Sequence, residues 1–460
     1  MISFPISNGE REIKNTKDRR FACPGLFRMP AANDGGICRI KLPMGQFNDK
    51  AIEGVADAAE IFSNSHVELT TRANLQIRAV AKHNEKQLIA ALLELGLGPL
   101  TREGDDIRNV MVAPTAGIDC NMFFDTTQLG KKLLEMLQTN RQFSRLSPKF
   151  SFLINGGETT KVTDHVADIW LSALPDGEKL NFGFASCSDN DCNGKSTAVG
   201  SISTDKALEF IRSCLETFIA VSKSDPSISR MKHLCHSQHY SVFLTDLRQR
   251  FPHKIAKPVT LPQKPTKVSA LTGIFPQNDR PFFYVGARPH LGRLSSLSLR
   301  AIAKIIKIRA QNSPIRLTHY QGIIVPDCSA YEAELIKKEL ASIGLAVDKS
   351  DPALDIFCCA GAPACRSGLS NVQRDGKYLI DYFTSALTNP VHLTACPKAC
   401  VATVAFDFTA LATKDSVYDL YRADCSNTHK FGKLLFQNMT ISDIAHYIEE
   451  ISKRSECKKV

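Results

Sequence analysis

The segments VELTTRANLQI (67–77) and IRLTHYQGIIV (315–325) align at an offset of 248 residues, with a leucine and a threonine at matching places. The same offset brings LIAALLELGL (88–97) onto IKKELASIGL (336–345), where two leucines and a glycine coincide. One such match arises easily by chance, but consecutive matches at one offset indicate an internal duplication. We therefore expect two copies of one structural unit, related by a pseudo-twofold axis.

Each copy shows the periodicities of a strand, a helix, a second strand and a second helix. AIEGVADAAEIF (51–62) and LSLRAIAKIIKI (297–308) have the amphipathic spacing of helices, and the aligned β-branched runs after them have the composition of strands. The second helix of each copy is followed by a glycine, which is typical of a helix end. Gly45 and Gly292 precede the first helices at an offset one residue shorter.

A second α/β segment follows each copy. RNVMVAPTAG (108–117) comes after the first copy and LDIFCCAGAPAC (354–365) after the second, and their apolar cores VMVA and IFCC take equivalent places. A proline-rich basic connector, FPHKIAKPVTLPQKPTK (251–267), separates the two halves of the chain. A cleft between two such halves is the natural place for a ligand.

Four cysteines near the C-terminus form two tight pairs: Cys359 and Cys365 in CCAGAPAC, and Cys396 and Cys400 in TACPKAC. A 4Fe–4S cluster needs such a grouping because each iron takes one thiolate and the cube is compact. Zinc sites also use two pairs, but usually as C-x2-C knuckles, and buried cysteines without a metal are a third alternative. The spacing favours the cluster.

Composition bounds the class of protein. The 460 residues are 43% hydrophobic and 23% charged, which is ordinary globular material with room for several domains. MISFPISNGEREIKNTKDRR (1–20) contains no apolar signal core, and no stretch reaches the length that crosses a bilayer. Fifteen cysteines suit a reducing compartment. We expect a cytoplasmic protein with no membrane partner.

The net charge of +10 has two interpretations. Nucleic acid is the common partner of basic chains, but here the basic residues are dispersed, with no Lys/Arg block and little aromatic interleaving. An anionic small molecule held by arginines inside a cleft fits the composition equally well. We expect no nucleic-acid partner.

The chain resembles the sirohaem-dependent nitrite and sulfite reductase superfamily over about residues 20 to 440. The motifs that carry this resemblance are the two cysteine pairs, TTRANLQIR (70–78), RNVMVAPTAG (108–117) and LSPKF (146–150). Within the superfamily the chain is more similar to the precorrin-3B synthase family. The motifs pointing there are RRFACPGLFR (19–28), KFSFLINGG (149–157) and CAGAPAC (359–365).

The resemblance implies an α+β fold in which two ferredoxin-like halves form one pseudo-twofold unit, each paired with an α/β nitrite/sulfite-reductase-like domain. The implied ranges are 20–103 for the first ferredoxin-like half, 104–250 for the first α/β domain, 251–267 for the linker, 268–350 for the second half and 351–460 for the second α/β domain with the cluster.

The resemblance also implies an activity. Precorrin-3B synthases use O2 to hydroxylate precorrin-3A at C20 with formation of a γ-lactone, and a second iron centre is expected beside the cluster. One alternative is an assimilatory nitrite or sulfite reductase with sirohaem as that second centre, and another is a non-catalytic basic binding protein with a structural cluster. No G-x-G-x-x-G loop and no flavin motif occurs in the sequence, so we expect a separate reductase or ferredoxin as electron donor.

Candidate substrate-binding residues are basic, because a tetrapyrrole carries many carboxylates and arginine binds carboxylates through two parallel hydrogen bonds. Arg72 and Arg78 lie six apart on one strand pattern with Gln76 between them, so alternation puts them on one face. Solvated edge-strand charges are the alternative. The resemblance implies substrate binding by Arg72, Gln76, Arg78, Arg108 and Asn109, and catalytic roles for Arg108 and for Lys149, which we expect to begin a strand.

Two departures from the related families affect the site. Ser151 stands two residues after Lys149, where sulfite reductases carry a second lysine. Reduction of a small anion needs concentrated positive charge, so this difference favours a large polyanionic substrate. Ala399 precedes Cys400 where the precorrin family typically has glycine, and Val401–Thr403 stand where that family has His-Pro shortly after the last cysteine.

Overall fold

The computed structural model describes residues 23–159, 165–186, 197–260, 271–278, 281–310, 313–402, 406–424 and 430–456. The expected connector 251–267 lies in part outside these residues, as do Thr403 and the outer ends of the first and last domain ranges given above. Within the described part of the chain, no helix combines the length and the apolar character needed to cross a bilayer.

The first ferredoxin-like half begins the described chain. Its elements are β1 (Gly36–Ile40), β2 (Gln46–Phe47), α1 (Asp49–Phe62), β3 (His66–Leu69), β4 (Leu75–Val80) and α2 (Glu85–Glu94). The Asn48 side chain accepts a hydrogen bond from the backbone N–H of Ala51 and so caps α1. The helix buries its apolar face in a core shared with the strands.

The first α/β domain follows directly. Its elements are β5 (Val110–Val112), α3 (Thr127–Thr139), β6 (Phe152–Asn155), β7 (Ala167–Ala173), β8 (Lys179–Ser186), β9 (Gly200–Ser203), α4 (Ala207–Ser224), α5 (Met231–Cys235) and α6 (Tyr240–Arg250). The five strands form one sheet in chain order, with β5, β6 and β7 parallel and β8 and β9 antiparallel. Phenylalanine side chains dominate the core between this sheet and its helices.

The second ferredoxin-like half repeats the pattern of the first. Its elements are β10 (Gly273–Pro276), β11 (Phe283–Pro289), β12 (Arg293–Ser295), α7 (Ser296–Arg309), β13 (Ile315–Leu317), β14 (Ile323–Cys328), α8 (Ala330–Ser342) and β15 (Leu345–Ala346). Ser295 and Ser329 cap α7 and α8 with their side chains, as serine commonly does at a helix N-terminus.

The second α/β domain repeats the first. Its elements are β16 (Ile356–Cys358), α9 (Val372–Tyr382), β17 (Val391–Thr394), β18 (Phe408–Lys414), β19 (Val417–Arg422), β20 (Lys433–Thr440) and α10 (Ile441–Glu456). Its sheet again runs in chain order, with three parallel strands followed by two antiparallel ones. The parallel strands end at one edge of the sheet, and both cysteine pairs follow strands that end there.

The two ferredoxin-like halves exchange strands. β12 of the second half pairs with β3 of the first, and β2 of the first half pairs with β13 of the second. The resulting sheets have the orders β1-β4-β3-β12 and β10-β11-β14-β13-β2, and β15 also pairs with β11. α1 packs on α7, and one hydrophobic core runs through both halves. The halves therefore form a single unit.

Backbone conformation confirms the predicted duplication. Left-handed φ angles, which residues other than glycine rarely adopt, recur at equivalent places in the two halves. The pairs are Met44 and Leu291 (52° each), Gly45 and Gly292 (71° and 72°), Ala73 and Gln321 (52° and 60°), and Ala79 and Asp327 (58° and 59°). Strained turns and bulges have thus been retained in both copies. The matching residues in the sequence reveal only part of this duplication.

Candidate functional site

The first cysteine loop leaves β16 and turns back on itself. Gly361 has φ of 64°, and a Cβ atom there would lie 2.7 Å from Val372 Cγ2 and 2.9 Å from the Ser370 carbonyl oxygen. The Cys365 N–H donates to the Gly361 carbonyl at 2.8 Å. This tight turn needs glycine. It brings Cys365 back toward the end of β16, which Cys359 follows directly.

The second cysteine loop leaves β17, which lies parallel to β16. The Ala395 N–H donates to Cys359 Sγ at 3.4 Å, and the Leu369 N–H donates to the Ala395 carbonyl at 2.9 Å. The two loops are therefore bonded to each other. Because adjacent parallel strands end at the same edge, the two cysteine pairs, all within residues 359–400, come to that edge together.

The thiols lie within electrostatic reach of one another. Burial raises the pKa of Cys359, and Cys400 and Cys396 raise it further. Burial likewise raises the pKa of Cys400, to which Cys396 and Cys365 add. Four thiols with a backbone N–H directed at one sulfur are the donor set of a 4Fe–4S cluster, and these residues fit that group.

The arrangement of the cysteines suits a cluster better than a single metal ion. Among the described residues, no group of three or more His, Cys, Asp or Glu side chains is placed to hold one ion. A cluster has one sulfur ligand on each of its four irons, so its cysteines stand farther apart than the ligands of one zinc ion would.

Ala399 has φ of 47° and is 2% exposed. This residue takes the place of the glycine that is typical of the precorrin family, in a conformation that costs an L-residue about 1–2 kcal/mol relative to glycine. The turn nevertheless forms, with the Ala399 N–H donating to the Cys396 carbonyl at 3.3 Å. Alanine in this conformation therefore strains the loop.

Arg72 lies in the turn between β3 and β4 and not on the strand itself, which begins at Leu75. The strand alternation expected from the sequence therefore does not relate it to Arg78. Within the described residues, no ion pair or hydrogen bond of its guanidinium is found. Burial lowers the pKa of Arg72 to about 10, and the nearby cations Arg230 and Arg39 lower it further. Asp168 and Cys23 offset this lowering in part. A desolvated cation of this kind suits an anionic ligand.

Two histidines lie beside this turn. His165 and His319 are 4% and 3% exposed, and their rings meet edge to face with centroids 5.3 Å apart. Burial lowers the pKa of His165 to about 4, and the charge of Arg72 adds to this. Both ring nitrogens of His319 lack a hydrogen-bond partner among the described residues.

Gln76 and Arg78 are engaged inside the protein. The Gln76 amide oxygen accepts from Arg39 at 2.7 Å, and its amide nitrogen donates to Glu68 at 2.8 Å. Arg78 donates twice to Asp34 at 3.0 Å. These side chains form a buried network on the sheet of the first half.

Arg108 and Asn109 are also engaged. Arg108 donates to Asp105 at 3.2 Å and to backbone carbonyls at the end of α2, at Leu97 and Gly98. Asn109 donates to the carbonyls of Pro148 and Phe150 and so holds the segment before β6. In this arrangement both side chains connect backbone segments through donors that are bonded to carbonyl oxygens. Arg108 Nε is buried and has no hydrogen-bond partner among the described residues.

Lys149 lies in an exposed turn, since β6 begins only at Phe152. It borders a cavity of about 740 Å3 with a strongly basic rim. The cationic residues of that rim are Arg145, Lys149, Arg230 and Lys232, and the rim also contains Cys23 and His233. The structure therefore brings Lys149 into a basic cavity whose Arg230 and Cys23 are electrostatically coupled to Arg72.

Ser151 is fully buried and contributes no charge to the cavity. Its N–H donates to Asp168 at 2.9 Å, and its hydroxyl donates to the same carboxylate oxygen at 3.4 Å. Asp168 also pairs with Arg230 at 2.6 Å. The position that is lysine in sulfite reductases thus serves to orient a carboxylate, and the carboxylate orients a rim arginine.

Sequence reasoning missed Arg39, Arg230 and the histidine pair. Arg39 lies on β1, between the buried residues Cys38 and Ile40, and electrostatic coupling links it to both Cys23 and Cys400. The alternation in GGICRIK places Arg39 on the face opposite Cys38 and Ile40, and this pattern could have identified it. No local signal marks the other residues.

Comparison with known proteins agrees with this geometry. The nitrite/sulfite reductase ferredoxin-like half domain matches residues 30–95 and 275–343. The nitrite and sulphite reductase 4Fe–4S domain matches residues 103–255. That range is the first α/β domain, whereas the four cysteines lie in the second, which has the same strand order.

Similar proteins span most of the chain. A chloroplastic ferredoxin–nitrite reductase of Zea mays is 24% identical over 88% of this chain and 74% of its own length. The ferredoxin–nitrite reductase of Leptolyngbya laminosa is 24% identical, with coverage of 86% and 80%. A precorrin-3B synthase of Sinorhizobium sp is also 24% identical, with coverage of 83% and 78%.

The solved structure of the Mycobacterium tuberculosis NirA protein superposes with a TM-score of 0.73 at 17% identity, over 91% of this chain and 80% of that one. This likeness shows the fold. The family match and the cysteine geometry support a 4Fe–4S cluster together with a sirohaem-like second centre. The chain therefore has the nitrite/sulfite reductase fold and is built from the duplicated domains of that superfamily.

Proposed function

We propose that this chain is a precorrin-3B synthase, which uses O2 to hydroxylate precorrin-3A at C20 with formation of a γ-lactone. The observation that carries the proposal is the distribution of positive charge. Arg72 and the basic rim of the cavity spread cations over several segments, while Ser151 leaves the position of the second lysine without charge. Dispersed cations suit a large polycarboxylate better than a small anion.

The residues of the chain would act by binding and orienting. The guanidinium of Arg72, which has no partner within the described part of the chain, would take a carboxylate of the tetrapyrrole. Lys149 with Arg230 would hold others at the rim. We also retain the predicted substrate contacts of Gln76, Arg108 and Asn109 as part of the proposal, although each requires the side chain to leave its present partners. When bound, the cluster supplies single electrons and the second iron centre activates O2.

Hydroxylation consumes an electron pair beyond that of the C–H bond, since the second oxygen atom leaves as water. The ferredoxin–nitrite reductases that this chain resembles are named for a separate electron donor. We propose that a reductase or ferredoxin likewise serves this chain, because a cluster accepts electrons one at a time and cannot take a hydride.

A second candidate is a ferredoxin-dependent nitrite reductase. The number of such relatives favours it, and the cations Arg39 and Arg230 lie within electrostatic reach of Arg72. In that case a small anion would lie at Arg72, and the rim of the cavity would hold sirohaem carboxylates.

One experiment on a single protein preparation distinguishes the two candidate functions. Anaerobically purified protein with reduced donor is supplied with precorrin-3A and 18O2, or with nitrite alone, and products are identified by mass spectrometry and by ammonia assay. Incorporation of 18O into the tetrapyrrole supports the proposal. Ammonia formation with strong Soret and red absorbance, and no labelled tetrapyrrole, would establish the nitrite reductase instead.

A further inference from the structure

The first half of the chain contacts the first cysteine loop directly. The carbonyl oxygen of Ala364, next to Cys365, accepts two hydrogen bonds from the first half. One comes from the Asn33 N–H and the other from Arg78 Nη2, both at 3.1 Å. The donors and the loop lie 286 residues apart in the case of Arg78, so only the tertiary structure joins them.

The guanidinium of Arg78 is held on both sides. Its Nε and Nη2 donate to the two carboxylate oxygens of Asp34 at 3.0 Å each, and Glu68 lies 4.0 Å from Nε. The side chain is 8% exposed and that of Asp34 is 18% exposed. A paired, buried guanidinium of this kind has one geometry, so the bond to Ala364 holds the loop in one place.

We propose that Arg78 is a positioning residue for the cluster, fixing the Cys365 loop and, in balance with Asp34, setting the reduction potential of the bound cluster. The inference requires the cluster but not the choice of substrate. It also assigns Arg78 a role that differs from the substrate contact expected from its sequence position, and the two roles have separate readouts.

The electrostatic argument gives opposite signs for the two partners. A reduced cluster carries one more negative charge than an oxidised one, so a nearby cation favours reduction and a nearby anion opposes it. Removing the charge of Arg78 leaves Asp34 uncompensated beside the loop. Removing the charge of Asp34 leaves Arg78 uncompensated. Burial keeps water and salt from screening either change fully.

The test is a redox titration of the holoprotein, followed by the EPR signal of the reduced cluster. Arg78→Met should make reduction at least tenfold less favourable, which is about 59 mV more negative for a one-electron couple. Asp34→Asn should shift the potential in the positive direction. Arg78→Lys keeps the charge, so its potential should stay close to that of the parent protein even if the loop loosens.

Arg300→Met is the matched control, because Arg300 forms an exposed pair with Asp57 and Glu60 on α1 and α7. It removes the same charge from an exposed pair, where water and salt screen the change, and should leave the potential unchanged. Shifts of the same sign in Arg78→Met and Asp34→Asn, or no shift in either, would overturn the proposal. Should Arg78→Met not retain its cluster, Asp34→Asn and Arg78→Lys still decide the sign.

Discussion

At the scale of single residues, position in a turn or a network decides what a side chain does. Among the described residues the guanidinium of Arg72, which lies in a turn, has no hydrogen-bond or ion-pair partner, whereas that of Arg78, six residues later, donates to Asp34 and Ala364. The four predicted ligand cysteines differ in the same way from their neighbour Cys358. The Cys358 side chain is buried in the core and packs against α9 at Gly376.

Replacing Cys396 with serine should abolish or severely reduce cluster assembly, because a hard hydroxyl oxygen is a poor substitute for a soft thiolate. Iron and acid-labile sulfide in the purified protein measure the outcome. Cys358→Ser is the control and should retain full content. Complete cluster loading in the Cys396 variant would remove this residue from the ligand set.

Arg72→Ala should weaken the binding of precorrin-3A by about ten- to a hundredfold through loss of charge-assisted hydrogen bonds. Titration under nitrogen, without turnover, measures the affinity. Arg248→Ala, an exposed charge on α6, serves as control. Equal affinities for the Arg72 variant and the parent protein would place the carboxylate contact elsewhere.

Ala399→Gly should raise the unfolding temperature of the holoprotein, since glycine adopts φ of 47° without the strain of alanine, which we put at about 1 kcal/mol. Iron content should stay the same. Ala395→Gly in the same loop, where φ is not positive, should lower the unfolding temperature instead. A decrease in both variants would mean that Ala399 is not strained.

At the scale of elements, the central strands of the second α/β domain carry buried polar groups on one face. His392 on β17 is fully buried, neither ring nitrogen has a hydrogen-bond partner among the described residues, and its ring lies 5.2 Å from that of Phe406. The corresponding row in the first domain, Met111, Leu153 and Trp170, is apolar. The duplicated sheets have therefore diverged on this face.

This difference has a consequence for stability. Burial lowers the pKa of His392 to about 3, and Lys430 adds to the effect. The unfolded chain takes up a proton below about pH 6.5 while the folded chain does not, so the free energy of unfolding falls as pH is lowered from there toward 3. The loss at pH 4 is about 3 kcal/mol.

His392→Gln should make the free energy of unfolding less dependent on pH between 6.5 and 4, as measured by denaturant titration. Some dependence should remain, because burial also lowers the pKa of His165. His446→Gln, an exposed site on α10, should leave the pH dependence as it is. A His392 variant with the parent slope would contradict the assignment.

At the scale of the whole molecule, the strand exchange joins the two halves into one unit. The first half also hydrogen-bonds to the first cysteine loop of the second α/β domain, through the Ala364 carbonyl. Arg39 is electrostatically coupled to Cys400 as well as to Cys23, which borders the basic cavity. The cluster and the proposed substrate site are thus joined through the sheet of the first half.

Mixing the oxidised holoprotein with NADH alone, without oxygen, should leave the absorbance of the cluster unchanged, because the chain carries no recognisable site for a nicotinamide or a flavin. Addition of a reduced ferredoxin should bleach it. Prompt bleaching by NADH alone would show that the chain needs no separate donor.

The sequence by itself determined the duplication and the two-domain pattern of each half, because periodicity and turn glycines are local properties. It also predicted the four thiolate ligands, from the spacing of the cysteines, and a ligand contact of Arg72, through the resemblance. The partners of Arg78, Arg108 and Asn109, and the roles of Arg39 and Arg230, were decided only by the tertiary structure. A charged side chain takes whichever donor or acceptor folding brings to it, and those groups range from residues 3 to 11 positions away for Arg108 to one 286 positions away for Arg78.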